Sequence, residues 1–193
     1  MENIILKRFK ENGEVKTRFL KENLPQVLEL IRLISHAFEV GNKVFFFGNG
    51  GSAADAQHLA AEFVNRLIMD RPPLPAIALT TDTSILTSIS NDFSFEEIFA
   101  KQLKALGKGG DVAIGISTSG NSSNIIKAFE VAKEMRMKAV ALTGNDGGAL
   151  AKMADLSLIV PSTSTPRVQE VHILVGHILC EMVEHSLFFK VSP

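Results

Sequence analysis

Five short, largely apolar runs constrain the fold of this chain more than any other feature. They lie at residues 43–47, 74–79, 111–116, 138–143 and 156–160, and helical stretches separate most of them. Apolar runs without polar alternation predict strands buried on both faces. Strands that alternate with helices predict a parallel sheet covered on both sides. The expected class is therefore α/β. Such sheets bind ligands beyond the carboxyl ends of their strands, near a switch in strand order. Residues 2 to about 40 read as two helices, with Ile5, Leu6 and Phe9 in the first and Leu24, Val27, Leu28, Ile31, Ile34 and Phe38 in the second. Gly41-Asn42 supplies a stop signal after them, and a long apolar helix is predicted from about 167 to 188. No internal repeat, low-complexity tract or dividing linker interrupts the pattern.

At 193 residues, with 46% apolar and 21% charged residues, the chain can bury a core without disulfides. A net charge of −1 and the absence of a basic run argue against nucleic-acid binding. The single cysteine, Cys180, excludes an internal disulfide or a Cys-rich metal site, and its apolar surroundings mark it as a small buried hydrophobe. The N-terminus turns charged too soon for a signal peptide. No apolar segment reads as long enough to span a membrane, so a cytoplasmic location is expected.

Three places carry candidate chemistry. The first follows the third apolar run: Ser117, Thr118, Ser119, Gly120, Asn121 and Ser122 lead into a helix. Hydroxyls donate to phosphate oxygens without a fixed charge, and a helix N-terminus adds free amides and a positive dipole end. A Ser/Asn-rich turn with a simple N-cap is the plainer alternative; the position between buried strand and helix favours a phosphate cradle. The second follows the first run, where Gly48-Asn49-Gly50-Gly51-Ser52 approaches a dinucleotide fingerprint, with Ala53 at the third glycine. The second run ends in Thr80-Thr81 rather than an acidic residue, which disfavours a nicotinamide cofactor. Gly50, Gly51 and Ser52 are better suited to holding a substrate against the backbone. On the helix that follows, His58 and Glu62 are four apart and share a face, as a metal pair or a base with its orienting group would. The third place is the last helix, with Gln169, Glu170, His172 and His177 among apolar residues. Spacing alone nominates Glu170 over Gln169 as the companion of His177. His36, His172 and His185 read as partly exposed histidines.

Gly48 through His58, Asn91-Asp92, Gly115 through Ser122, Ala141-Leu142-Thr143-Gly144 and Arg167-Val168-Gln169-Glu170 together resemble the phosphoheptose isomerases of the sugar isomerase (SIS) domain group. The resemblance covers nearly the whole chain. It implies a single SIS domain over 1–193, with a helical pair at 1–40 and an α/β core at 41–193, built on a five-stranded parallel sheet flanked by helices. It implies a homotetramer with active sites at subunit interfaces, and conversion of sedoheptulose 7-phosphate to an aldoheptose phosphate for lipopolysaccharide heptose synthesis. It further implies a zinc ion held by His58, Glu62, Gln169 and His177, and so prefers Gln169 to Glu170. Ser117, Thr118, Ser119 and Ser122 would contact phosphate; Asn49, Gly50, Ser52, Arg66 and Asp92 would line the sugar pocket. Glu62 would be the general base on carbon, and His177 would move the oxygen proton. The chain departs from the family at Pro166, where an acidic residue is often found three positions before the metal-binding glutamine.

A second reading comes from a non-enzymatic tetrameric relative that binds the bacterial replication initiator protein, which residues 85–89 and the Cys180 helix also resemble. Glu62 and His177 discriminate, because a scaffold has no need of them. A third, a sugar-phosphate sensor, usually comes fused to a partner domain, and none is visible in this sequence.

Overall fold

The computed structural model describes residues 1–189; residues 190–193, the end of the expected 1–193 span, lie outside the described residues. The five apolar runs form strands β1 (Val44–Gly48), β2 (Ala76–Ala78), β3 (Val112–Ser117), β4 (Lys138–Gly144) and β5 (Leu156–Val160). They make one sheet in the order β2-β1-β3-β4-β5, with every neighbouring pair parallel. β2 is the shortest, and Pro72, Pro73 and Pro75 lie directly before it. Proline has no N–H to give to a ladder, so the pairing starts only beyond them. The strand order reverses between β1 and β3, and that switch places a crevice beyond Gly48 and Ser117.

The helices are α1 (Glu2–Glu39), α2 (Gly51–Val64), α3 (Thr83–Asp92), α4 (Ile98–Leu106), α5 (Ser123–Glu134), α6 (Gly148–Met153) and α7 (Thr165–Phe188), with a 3₁₀ turn at Phe95–Glu97. Alternate strand residues serve opposite layers. Phe46, Ile114, Ile116 and Leu142 pack with α1, α2 and α7, while Phe45, Phe47, Ala113 and Ala141 pack with α4, α5 and α6. In the second layer aromatic rings pack on one another: Phe47 of β1 meets Phe99 at 5.3 Å and Phe129 at 6.2 Å between centroids.

The expected N-terminal helix pair is instead one helix of 38 residues, about 57 Å long at 1.5 Å per residue. The helix runs through both of its residues with low helix propensity. Gly13 stands in open space, and Pro25 lies inside the helix. The charged middle, which hides the periodicity, carries an inward face with Phe19, Asn23 and Val27 buried. Asn23 works as a strand surrogate on the open edge of β5. Its Oδ1 accepts from Ile159 N at 3.1 Å and its Nδ2 donates to Ile159 O at 3.2 Å. An exposed edge is a pairing hazard, and α1 covers it.

The last helix also departs from expectation. α7 is long and apolar enough to cross a membrane by length and composition. It is packed here with α1 and α2, with Val168, Val171, Val175, Leu179 and Val183 in the core. His172, expected to be partly exposed, is only 3% exposed. Its Nε2 donates to Thr143 O at 3.1 Å in the neutral tautomer that burial demands, and burial pulls its pKa down to about 4 despite that bond. His36 and His185 are exposed as expected. Because the folded pKa of His172 lies below the free value of 6.5, its contribution to stability is present above pH 6.5 and is lost as pH falls toward 4. Wild-type protein is expected to lose about 2 kcal/mol more than His172→Gln between pH 7 and pH 5 in urea unfolding. Equal pH slopes in the two proteins would contradict this.

Candidate active site

α2 leaves the carboxyl end of β1 and crosses α7 where Leu59 meets Gly176. A side chain at Gly176 would place Cβ 2.4 Å from Leu59 Cδ2, so glycine there lets Leu59 seat closely on α7. The neighbouring residues on each helix, His58 and His177, are thereby brought together. Their Nε2 atoms face each other at 3.2 Å, and His58 Nε2 lies 3.1 Å from Glu62 Oε1. The donor atoms of His58, Glu62 and His177 all lie within 4.8 Å of one another. With both Nε2 atoms unprotonated, the two imidazoles and the carboxylate could hold a cation between them. Bonds of ~2.0–2.1 Å to a tetrahedral zinc imply donor–donor edges of ~3.3 Å, close to the two spacings observed. His58 is exposed and the other two are half-buried, so the group is open to a ligand. Asp55, one turn before His58, has Oδ2 shielded from water and without a hydrogen-bond partner among the described residues. Burial raises its pKa against the pull of His58 and His177.

The hydroxyl loop follows β3. Ser117 Oγ lies 2.9 Å from Ser122 Oγ and 3.4 Å from Ser119 Oγ, and Asn121 N donates to Ser119 Oγ at 3.2 Å. Ser122 is the N-cap of α5, yet no side chain caps that helix, because its hydroxyl turns to Ser117 instead. The α5 N-terminus therefore presents its amides to whatever the hydroxyls hold. Gly120, at φ +67°, closes the loop; a Cβ there would lie 2.1 Å from Gly147 O. The loop is tied to the glycine turn after β1 by a reciprocal amide pair: Asn49 Nδ2 donates to Asn124 Oδ1 at 3.0 Å, and Asn124 Nδ2 to Asn49 Oδ1 at 2.9 Å.

The SIS domain family model matches residues 9–144. The phosphoheptose isomerase of Thermodesulfovibrio yellowstonii is 53% identical over 188 residues, 97% of this chain and 94% of that protein. That of Aquifex aeolicus is 53% identical over 183 residues, 95% of this chain and 96% of that protein. The chain belongs to the SIS domain family. Among solved structures, the phosphoheptose isomerase of Neisseria gonorrhoeae superposes with a TM-score of 0.90 at 43% identity, over 95% of this chain and 98% of that one. That of Francisella tularensis gives 0.92 at 39% identity, over 95% and 97%.

Within this SIS domain the expected residues are not all gathered. His58, Glu62 and His177 meet, and Asn49, Ser117, Ser119 and Ser122 share the crevice between β1 and β3. Thr118 is half-buried in the same loop, Gly50 is the N-cap of α2, and Ser52 is buried behind the turn. The Gln169 amide lies against Gly51, at the start of α2. Glu170, which spacing alone favours, has its carboxylate engaged by Asn12 of α1 and by Arg167. Arg66 and Asp92 are exposed: Arg66 reaches Asp70 at 3.6 Å, and Asp92 accepts from its neighbour Asn91 at 2.8 Å. Asn124, Asp55 and the pair Arg71–Glu184 were missed by sequence reasoning. Of these, only Asn124 had a local signal, as a polar residue in the first turn of a helix after a hydroxyl loop.

Proposed function

We propose that this chain is a phosphoheptose isomerase, interconverting sedoheptulose 7-phosphate and D-glycero-D-manno-heptose 7-phosphate in lipopolysaccharide heptose synthesis. The observation that carries the proposal is the convergence of His58, Glu62 and His177 from two helices, on the same end of the sheet as the hydroxyl loop. The identity to full-length phosphoheptose isomerases supports the choice of sugar.

In this reading Ser117, Thr118, Ser119, Ser122 and the α5 N-terminus hold the phosphate. That anchors the far end of the open-chain sugar, so binding energy positions the reacting carbons. Asn49, Gly50, Gly51, Ser52 and the Gln169 amide contact the sugar between the two ends. Glu62 takes the proton from one carbon and returns it to its neighbour. His177 moves the proton between the two oxygens. A zinc ion held by His58, Glu62 and His177, with Gln169 as the fourth donor, would polarise the carbonyl and stabilise negative charge on oxygen. Gln169 thus has two proposed roles, and its position over the start of α2 supports the substrate contact. The carboxylate has two oxygens: with Oε1 turned to His58, the other serves as base.

The assembly proposed is a homotetramer in the cytoplasm. An apolar groove of about 380 Å³ between α1 and α7, lined by Leu20, Leu24, Leu28, Leu174 and Ile178, supports burial against other copies. Arg66 and Asp92, exposed in the single chain, would complete sites at those interfaces. The initiator-binding scaffold gives no reason for the His–Glu–His group. Purified protein is expected to convert sedoheptulose 7-phosphate to the aldoheptose phosphate; no product, with stoichiometric initiator binding, would favour the scaffold. Ser119→Ala is expected to raise KM by about three- to tenfold, the loss of roughly one hydrogen bond, with kcat less affected. An unchanged KM would remove Ser119 from the phosphate site.

A further inference from the structure

Arg71 and Glu184 form an ion pair at 2.9 Å with both side chains only 1% exposed. Neither touches the hydroxyl loop, but both touch the frame of the His–Glu–His group. Glu184 sits seven residues beyond His177 on α7, two turns along the same face. Its Oε1 accepts from Leu67 N at 2.9 Å, and its Oε2 from Ile68 N and Met69 N at 3.2 Å each. Arg71 completes the knot from the other side. Its Nη2 donates to Glu62 O at 2.9 Å, and its Nη1 to Phe63 O at 2.7 Å and Asn65 O at 3.3 Å.

The last carbonyls of a helix lack intrahelical partners, and a cation there also meets the negative end of the dipole. One guanidinium therefore caps the end of α2, and its counter-ion belongs to α7. Burial alone would raise the pKa of Glu184. Three backbone amides and Arg71 outweigh it, so the carboxylate is held below its ordinary value and stays charged.

We propose that the Arg71–Glu184 pair is a positioning brace that fixes the Glu62 end of α2 against the His177 helix and so sets the spacing of His58, Glu62 and His177. This rests on the reading of those three residues as the metal and catalytic group. A buried ion pair is a weak source of net stability, and one whose polar atoms are satisfied, as they are here, is suited to rigid positioning. The same brace pins residues 67–69, next to Arg66.

The test uses zinc(II) affinity of the folded protein, read by competition with a chelating indicator well below the melting temperature. Glu184→Gln and Arg71→Lys are compared with wild type and with Phe129→Leu, which perturbs the core on the opposite face of the sheet. The brace predicts a roughly 10–100-fold loss of zinc affinity and a lower kcat in both brace variants, the range seen when groups behind metal ligands are altered. Phe129→Leu should melt earlier yet bind zinc as wild type does. Should Glu184→Gln not fold, Glu184→Asp keeps the charge and retracts it by one methylene, and carries the same expectation. Folded brace variants with wild-type zinc affinity would overturn the brace alone. Wild-type protein that binds no zinc would overturn the metal reading and the brace with it.

Discussion

Glu62→Gln is expected to lower kcat by about 10³-fold while the protein stays folded. Glutamine keeps the size and hydrogen-bonding reach of glutamate but cannot accept a proton from carbon, and a positioned general base contributes 10²–10⁴-fold. Glu62 is half-buried on the last turns of α2, with its backbone carbonyl held by Arg71, so the substitution leaves the helix end intact. Because Glu62 is also a proposed zinc ligand, the variant is assayed with zinc in excess, and two readouts then separate chemistry from substrate binding and folding. KM for the sugar phosphate should change much less than kcat, because the hydroxyl loop before α5, proposed to hold the phosphate, is untouched. The melting temperature should stay within a few degrees of wild type. Near-normal turnover by Glu62→Gln would remove Glu62 as the base.

His177→Ala is expected to abolish turnover and to weaken zinc binding by more than 100-fold, since a donor atom itself is lost rather than a group behind it. His177 carries two proposed duties, and their loss should be separable. Added zinc should reoccupy the remaining donors at high concentration without restoring the rate. Restoration by zinc alone would mean that His177 only holds metal and that another group moves the oxygen proton. The variant should fold, because His177 is half-buried, while its neighbours Gly176 and Leu179 carry the helix contact.

The sheet was legible in the sequence because parallel strands covered on both faces leave continuous apolar runs with no helical period. All five runs became strands, shifted by a residue or two at their ends. The unity of α1 was not legible. Its charged middle shows little periodicity, and the helix is carried across it by the inward face of Phe19, Asn23 and Val27, with Asn23 held to β5. The hydroxyl loop and the His58–Glu62 pair were local patterns and could be read directly. The choice between Gln169 and Glu170 was not, because adjacent residues on a helix both fall within a broad face. Glu170 is engaged by Asn12, 158 residues away, a contact that no local pattern announces. The Arg71–Glu184 pair spans 113 residues, and no spacing rule joins them.

The most direct test of the account is conversion of sedoheptulose 7-phosphate by the purified chain before chelation, after chelation, and after zinc is returned. The account predicts aldoheptose phosphate from the protein as purified, loss of product on chelation, and recovery with zinc. Undiminished conversion in the metal-stripped protein, shown by elemental analysis to lack zinc, would contradict a metal centre at His58, Glu62 and His177.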